Sequence, residues 1–169
     1  MIVVDSSVWI DFFNGVSTPE VDRLDALLGV TPLAIGDLIL VEVMQGFRNE
    51  RDVATAQQLF RSLALLPLLE GSNPWKAAEN YRQLRRKGIT VRKTIDGIIA
   101  TACIEANLPL LFSDRDFQPY VEHLGLVVAF LAALVPLKLD LRNWAWEGRV
   151  ELVQRDRSGW GGTSGVQYL

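Results

Sequence analysis

Four carboxylates that lie far apart in the sequence of 169 residues are the side chains best suited to do chemistry. Asp5 directly follows the apolar run at residues 2–4, and Asp114 comes soon after the apolar run at residues 108–112. In open parallel sheets, ligand sites lie beyond the carboxyl ends of the strands. If both runs are strands of one such sheet, the two acids are expected to converge.

Two further acids are placed by helical patterns. Asp96 falls in the first turn of a helix for which Thr94 is the predicted N-cap. Glu42 adjoins the apolar stripe of another helix, in which Leu40 and Val43 recur at helical spacing. A carboxylate beside such a stripe points sideways into the protein, so Glu42 is a candidate to join the other three.

Converging carboxylates raise one another's pKa and need compensating positive charge. Divalent cations supply that charge, and sites made of oxygen ligands select Mg²⁺ or Mn²⁺ over zinc. The single histidine, His123, and the single cysteine, Cys103, exclude a two-histidine or multi-cysteine metal site within one chain. Such an acidic site promotes phosphoryl chemistry, because metal ions activate water and stabilise the leaving oxygen.

Each of the four acids also has an ordinary structural explanation when it is considered alone. Asp5 and Asp114 can cap the helices that follow them, and Asp96 can complement a helix dipole. Glu42 can lie on a solvated helix face. Only their joint placement favours a metal site over four unrelated structural roles.

Short apolar strands alternate with helices before residue 130, which predicts an α/β domain with a mainly parallel central sheet. We predict strands over residues 2–4, 32–35, 108–112 and 126–129, and a strand or loop over 65–69. We predict helices over residues 6–13 (capped by Ser6 or Ser7), 19–28, 37–47 (capped by Asp37), 51–65, 74–86, 94–107 and 117–123.

Composition indicates a folded protein without a membrane segment. Hydrophobic residues make up 49% of the chain and charged residues 22%, which suffices for a sizeable core. The amino-terminal segment lacks a basic region, and the longest nearly uncharged apolar stretch, residues 124–137, is too short to span a bilayer. We therefore expect a cytoplasmic protein. The net charge of −3 does not exclude a nucleic-acid partner, because bound metal ions would neutralise the four candidate ligands.

Four segments together resemble the ordered motifs of a known family: MIVVDSSVWIDFF, LVEVMQG, TIDGIIATACIEANLPLL and SDRDF. They look like PIN-domain ribonucleases and, within that superfamily, like the VapC toxins of VapBC toxin–antitoxin pairs. The resemblance covers residues 1–129. It implies a PIN fold with three α/β/α layers, Mg²⁺-dependent RNA cleavage (with Mn²⁺ as a substitute), a homodimer and an antitoxin partner.

The resemblance also assigns roles to individual residues. Asp5 and Asp96 would be the main metal ligands, and Glu42 and Asp114 would hold the remaining ions or waters. Asp116 falls on a nearby position that is often acidic in the family, and Ser7 falls where family members commonly carry a hydroxyl near the metal. This chain has Phe112 where the family often has Thr, Ser or His, with Ser113 next to it as a candidate source of that hydroxyl.

A cluster of six basic residues lies within residues 82–93 and leads into Asp96. We expect it to form a rim that contacts RNA phosphates, for which the candidates are Arg85, Arg86, Arg92 and Lys93. The alternative is a solvated helix face whose last turn complements the dipole.

Apolar residues near the first acid have a structural interpretation. Trp9, Phe12 and Phe13 share one helical face, for which core or dimer packing is favoured over base stacking. Cys103 is expected to be a buried small apolar residue.

The division of the chain is predicted at residue 129. Residues 1–129 form the PIN-like unit, and 130–169 form a carboxyl-terminal extension that matches no motif and holds three of the five tryptophans. Alternation at 137–140 and 149–153 predicts a hairpin, and the glycine-rich end favours flexibility. The extension can be a partner-binding arm, an addition to the sheet, a cover over the site, or non-native sequence.

Three functions stay open at the level of sequence. The leading one is an endoribonuclease that hydrolyses RNA with a metal-activated water, without a covalent intermediate or a histidine base. A non-catalytic PIN-fold module that binds RNA or protein is the alternative, although clustered acids without metal repel phosphate. A metal-dependent phosphatase is disfavoured, since the first strand is followed by Asp5-Ser6-Ser7-Val8 rather than by a DxDx[TS] nucleophile motif.

Overall fold

The computed structural model describes residues 1–130 of the chain. The strands of this part are β1 (Ile2–Val4), β2 (Leu33–Gly36), β3 (Ala64–Leu66) and β4 (Leu110–Leu111). The helices are α1 (Ser6–Phe13), α2 (Pro19–Leu27), α3 (Asp37–Gln45), α4 (Glu50–Phe60), α5 (Asn73–Arg86), α6 (Thr94–Ala106) and α7 (Gln118–Leu124), with a 3-10 turn at Arg115–Phe117. Strands and helices alternate as the sequence predicts.

The four strands form one parallel sheet in the order β3-β2-β1-β4. From β1 the chain moves outward to β2 and β3, and then returns to place β4 on the other side of β1. The reversal makes the carboxyl ends of β1 and β4 the switch point of the sheet, which is where open α/β sheets bind ligands. The predicted strand at residues 126–129 is reduced to a single parallel bridge between Val128 and Leu110. The three-layer α/β/α fold with a mainly parallel sheet is confirmed.

The core explains why the central strands carry uninterrupted apolar runs. All residues of β1, β2 and β4 are buried, as expected for parallel strands covered by helices on both faces. Trp9 on α1 is fully buried, with its ring centroid 5.1 Å from that of Phe60 and 6.1 Å from that of Phe13. Core packing of this aromatic face is confirmed, and so is the burial of Cys103. This packing anchors α1 against the end of α4.

Local assignments differ from the sequence predictions at several ends. The helix predicted over residues 51–65 stops at Phe60, because Ala64–Leu66 pair with β2 instead. Asp5, not Ser6 or Ser7, is the N-cap of α1, since its carboxylate accepts a hydrogen bond from the Ser7 N–H in the first turn. The N-caps of α3 and α6 are Gly36 and Lys93, not Asp37 and Thr94, and neither has a capping side-chain bond.

Two predictions concern the end of the described range or the residues beyond it. The predicted hairpin at residues 137–140 and 149–153, and the rest of the extension beyond residue 130, lie outside the described residues. The unit boundary at residue 129 stays a prediction. Among residues 1–130, no helix is both long and apolar enough to cross a lipid bilayer.

Candidate active site

Asp5 is held at the junction of β1, α1 and β4. Its backbone N–H donates to the Leu111 carbonyl at 2.9 Å, which ties the end of β1 to the end of β4. Its Oδ2 accepts from the Ser7 backbone N–H at 2.9 Å and from the Ser7 hydroxyl at 2.5 Å. Only 2% of Asp5 is exposed. Asp5 therefore both caps α1 and lies where the ends of β1 and β4 adjoin, so its capping role does not exclude a functional one.

Ser7 links the two strand ends. Its Oγ donates to Asp5 and accepts from the backbone N–H of Ser113 at 3.2 Å, so it bridges from α1 to the segment that leads to Asp114. The Ser113 hydroxyl makes no hydrogen bond to any residue within 1–130. The contribution of Ser113 to this bridge therefore comes from its backbone.

Three carboxylates meet most closely, and we call them the acid triad: Asp96, Asp114 and Asp116. One carboxylate oxygen of each lies within 4.8 Å of the other two. Asp96 comes from the first turn of α6, and the other two flank the start of the 3-10 turn, where Asp114 accepts from the Asp116 N–H at 2.9 Å. α6 packs against this turn, which brings residues about twenty positions apart together.

Asp5 and Glu42 adjoin the acid triad without belonging to its closest set. The charge of Asp5 raises the pKa of Asp96, and the charge of Glu42 raises the pKa of Asp5. Glu42 is half-buried on α3, between the buried residues Ile39 and Val43. The four acids predicted from the sequence thus share one electrostatic neighbourhood, and Asp116 joins them.

Burial dominates the protonation of the two innermost acids. It raises the pKa of Asp5 to about 6, with the hydrogen bonds from Ser7 acting in the opposite direction. It raises the pKa of Asp96 to about 7, where Lys93 lowers the value and the neighbouring acids raise it. Partial burial also raises the pKa of Asp114, but the hydrogen bonds from Lys93 and from the Asp116 N–H outweigh it and hold this pKa below its ordinary value.

The donor set fits a hard divalent cation. Asp96 is 7% exposed, and its Oδ2 is buried without a hydrogen-bond partner in the described part of the chain. A buried carboxylate oxygen without a partner is costly and calls for an explanation. A cation among the acid triad would supply the missing partner and the missing positive charge, and oxygen-only donors suit Mg²⁺ or Mn²⁺.

The basic cluster divides into paired and unpaired members. Arg82 and Arg86 on α5 both bind Glu79, and the Arg86 contact measures 2.8 Å. Arg85 and Arg92 are exposed and make no ion pair with any residue in the described range. Arg86 is thus engaged by an acid on its own helix, whereas Arg85 and Arg92 are open to a ligand.

Lys93 is engaged by the site itself. Its Nζ donates to Asp114 Oδ2 at 2.7 Å, which places its ammonium against the acid triad. Asp37 also follows a strand, but unlike Asp5 and Asp114 it has a purely structural role. Its carboxylate accepts hydrogen bonds from the Leu38 and Leu68 N–H groups and so holds a loop.

Sequence reasoning missed one pair of residues beside the site. The hydroxyl oxygen of buried Tyr120 on α7 lies only 2.7 Å from where a Cβ on Gly97 would stand. Burial and, to a smaller extent, the charges of Asp96 and Asp116 together raise the pKa of Tyr120 to about 12, so this hydroxyl stays protonated. A glycine in the first turn of a helix was the available signal, since glycine is otherwise unfavourable there.

The chain is similar in sequence to known proteins of one family. A family model described as the PIN domain matches residues 2–121. A protein named VapC ribonuclease from Mycobacterium bovis and one named Ribonuclease VapC11 from Mycobacterium tuberculosis are each 28% identical to the chain over 120 residues, which is 70% of this chain and 90% of theirs.

Solved structures share the fold. The crystal structure of VapBC2 from Rickettsia felis, bound to a DNA fragment from the promoter, includes a chain that superposes with a TM-score of 0.62 at 17% identity. A toxin-antitoxin complex from Klebsiella pneumoniae gives a TM-score of 0.57 at 18% identity, and both alignments cover 76% of this chain and 97% of the other. The resemblance to PIN-domain proteins of the VapC type is confirmed. Because the family model matches residues 2–121, which are most of this chain, the chain belongs to the PIN-domain family.

Proposed function

We propose that the protein is a metal-dependent endoribonuclease, the toxin of a toxin–antitoxin pair, and that it hydrolyses RNA phosphodiester bonds. The observation that carries this proposal is the Oδ2 of Asp96 within the acid triad, which is buried and has no hydrogen-bond partner among residues 1–130. The VapC ribonucleases that resemble the chain support the substrate class.

The residues of the chain have distinct tasks in this proposal. Asp5, Asp96, Asp114 and Asp116 hold Mg²⁺, or Mn²⁺ in its place, and Glu42 holds a further ion or a bound water beside it. Ser7 fixes the orientation of Asp5 through two hydrogen bonds. When bound, the metal supplies an activated water and stabilises the leaving oxygen. The proposed hydrolysis uses neither a histidine base nor a covalent intermediate.

Cleavage of RNA by purified protein tests the proposal. We expect cleavage in Mg²⁺ and none in EDTA, and we expect Asp96→Asn to abolish it. Asp22→Asn is the matched control, because Asp22 is an exposed acid in the first turn of α2, as Asp96 is a buried one in the first turn of α6. RNA binding without cleavage under all metal conditions would favour the alternative, a non-catalytic binding module. Equal cleavage by Asp96→Asn would refute the site.

RNA contacts are proposed for the basic rim beside the acid triad, with Arg85 and Arg92 as its main members. Substituting both by Gln removes two exposed, unpaired charges. With about 0.7 of salt slope per phosphate contact on a single strand, the slope of log affinity against log salt should flatten by roughly 1.4.

Arg82 and Arg86 provide the matched control for this rim. Substituting both by Gln removes the same charge from the same region, but these side chains are already bound to Glu79. The salt slope should then change much less. Equal slopes for the two double variants would favour the interpretation of the cluster as a solvated helix face.

An antitoxin partner and a homodimer complete the proposal. The solved structures of the same fold are VapBC and toxin-antitoxin complexes, which supports a partner protein. The partner most simply inhibits by reaching the acid triad with an Arg or Lys side chain. Sedimentation should give a dimer at micromolar concentration, and saturating partner should suppress cleavage. A monomer contradicts the first expectation, and undiminished cleavage contradicts the second. We place the protein in the cytoplasm with its RNA substrate.

A further inference from the structure

Lys93 occupies a position that the proposed function leaves unexplained. It is the N-cap residue of α6, three positions before Asp96, and it makes no capping side-chain bond. Its side chain turns instead to Asp114, with Nζ 2.7 Å from Oδ2. The Lys93 side chain is 54% exposed and that of Asp114 is 27% exposed, so the ion pair lies at the open side of the site.

The ammonium of Lys93 acts on the whole acid triad and not on Asp114 alone. Lys93 Nζ lies 2.7 Å from Asp114 Oδ2, and one carboxylate oxygen of Asp114 lies within 4.8 Å of one oxygen each of Asp96 and Asp116. Lys93 therefore supplies positive charge at the place where a divalent cation would supply it. A cation bound among the three carboxylates would compete with Lys93 for Asp114 and would repel its ammonium.

The same side chain can serve a second ligand once it is displaced. A lysine stem is flexible and its ammonium is a compact charge that pairs readily with phosphate oxygens. Lys93 lies at the rim whose unpaired members are Arg85 and Arg92, so an ammonium that leaves Asp114 remains next to the path proposed for RNA. Lys93 differs from Arg86, whose partner Glu79 lies on the same helix and is not part of the acid triad.

We propose that Lys93 is a built-in counter-ion that divalent metal displaces from Asp114, and that its displacement makes its ammonium available to an RNA phosphate. The second half of this inference rests on the proposed function, whereas the first concerns the metal alone. The inference predicts that metal and Lys93 compete, so that removing the ammonium strengthens metal binding. A lysine that merely orients Asp114 as a ligand would have the opposite effect, because its removal would weaken metal binding.

Calorimetric titration of the full chain with Mg²⁺ alone, in the absence of RNA, shows whether removal of the ammonium strengthens or weakens Mg²⁺ binding. Lys93→Gln should bind Mg²⁺ about two- to fivefold more tightly than the unsubstituted protein, the range expected for loss of one partly exposed ion pair. Lys93→Arg should stay close to the unsubstituted protein because it keeps the competing charge. Arg92→Gln is the matched control, since it removes the same charge from the adjacent exposed residue, which has no ion pair in the described part of the chain.

RNA binding tests the second half. In EDTA, where Lys93 stays on Asp114, Lys93→Gln and the unsubstituted protein should bind a fluorescent RNA with equal affinity. At saturating Mg²⁺, the KM of Lys93→Gln for RNA should be about two- to fivefold higher. Equal KM values at saturating Mg²⁺ would overturn the transfer of Lys93 to phosphate.

The failures of the two proposals are distinguishable. Suppose that the unsubstituted protein binds Mg²⁺ and cleaves RNA. If Lys93→Gln then binds Mg²⁺ no more tightly than the unsubstituted protein, or gains no more affinity than Arg92→Gln does, the displacement is wrong and the nuclease proposal stands. If the unsubstituted protein binds no Mg²⁺, the metal site itself is wrong and the displacement falls with it.

Discussion

Substituting Asp96 by Asn should stabilise the metal-free protein at alkaline pH, although it abolishes the proposed activity. The fold raises the pKa of Asp96 from 3.8 to about 7 because the carboxyl is buried beside other acids. Between these two pH values the folded state holds the proton more tightly than the unfolded chain does. The stability of the metal-free protein therefore falls as the pH rises from about 4 to above 7. An asparagine cannot ionise and escapes this loss.

The expected gain follows from the difference between the two pKa values. About three pH units correspond to about 4 kcal/mol at 1.36 kcal/mol each, and we halve this to about 2 kcal/mol for screening by solvent at the open site. At roughly 2–4 °C per kcal/mol, Asp96→Asn should raise the Tm by about 4–8 °C at pH 8. At pH 4.5 most of the difference disappears, and the gain should fall to about 0.5 kcal/mol.

Thermal unfolding in EDTA measures the stability of the metal-free protein, and thermal unfolding in Mg²⁺ measures how much bound metal adds to it. In EDTA at pH 8, the variant should be the more stable protein. With Mg²⁺ at about one hundred times its Kd, the unsubstituted protein gains about 2.7 kcal/mol, whereas the variant, which lacks one ligand charge, gains much less. The order of stability should therefore reverse when metal is added.

The control is Asp22→Asn, the exposed acid at the equivalent turn of α2. It should lower stability slightly through the helix dipole, without a dependence on Mg²⁺. An equal Tm difference for Asp96→Asn at pH 4.5 and pH 8 would refute the assignment of a raised pKa. A lower Tm for this variant in EDTA at pH 8 would refute the claim that charge repulsion and burial dominate at this position.

Further outcomes follow from the geometry of the site. Asp116→Asn should weaken Mg²⁺ binding by calorimetry; an unchanged Kd would remove Asp116 from the ligand set. Gly97→Ala should destabilise the protein by about 1–3 kcal/mol in chemical denaturation, because its Cβ would lie 2.7 Å from the Tyr120 hydroxyl oxygen. Adding Tyr120→Phe should restore most of that loss, since the next ring atom is 3.7 Å away; no recovery would locate the strain elsewhere. A chain that ends after Ala133 should keep its cleavage activity, and loss of activity would contradict the predicted unit of residues 1–129.

Local sequence patterns determined much of the fold and the identity of the acids. The β-branched run at residues 2–4 has apolar side chains on both faces of a strand, which is typical of a central parallel strand covered on both sides. It predicts such a strand without knowledge of its neighbours. Asp5 follows that strand directly, and a parallel sheet places its ligands at such ends. Asp96 was located by the same kind of argument, because a helix start is marked by nearby residues. The ordered motifs then identified the family.

Helix and strand ends were less predictable where local preference competed with pairing. The apolar pattern of α4 continues beyond Phe60, but backbone groups of residues 64–66 bond to β2 and end the helix. Such a choice depends on whether a partner strand lies alongside, which periodicity along the chain does not record. Thr94 is of a residue type that commonly caps helices, but it is the first residue of α6 and follows the N-cap Lys93.

Only the tertiary structure decided which charged groups meet. The sequence places Asp116 near Asp114, but the packing of α6 against the 3-10 turn is what brings its carboxylate to Asp96. The basic residues next to one another in sequence have different partners: Arg86 binds Glu79, and Lys93 binds Asp114. Side-chain pairing depends on distances of a few ångströms between separate elements, and Coulomb energy and desolvation change steeply over such distances. Residue type and spacing therefore predicted an acidic site, while packing decided which of its carboxylates lie closest together and which lysine is paired with them.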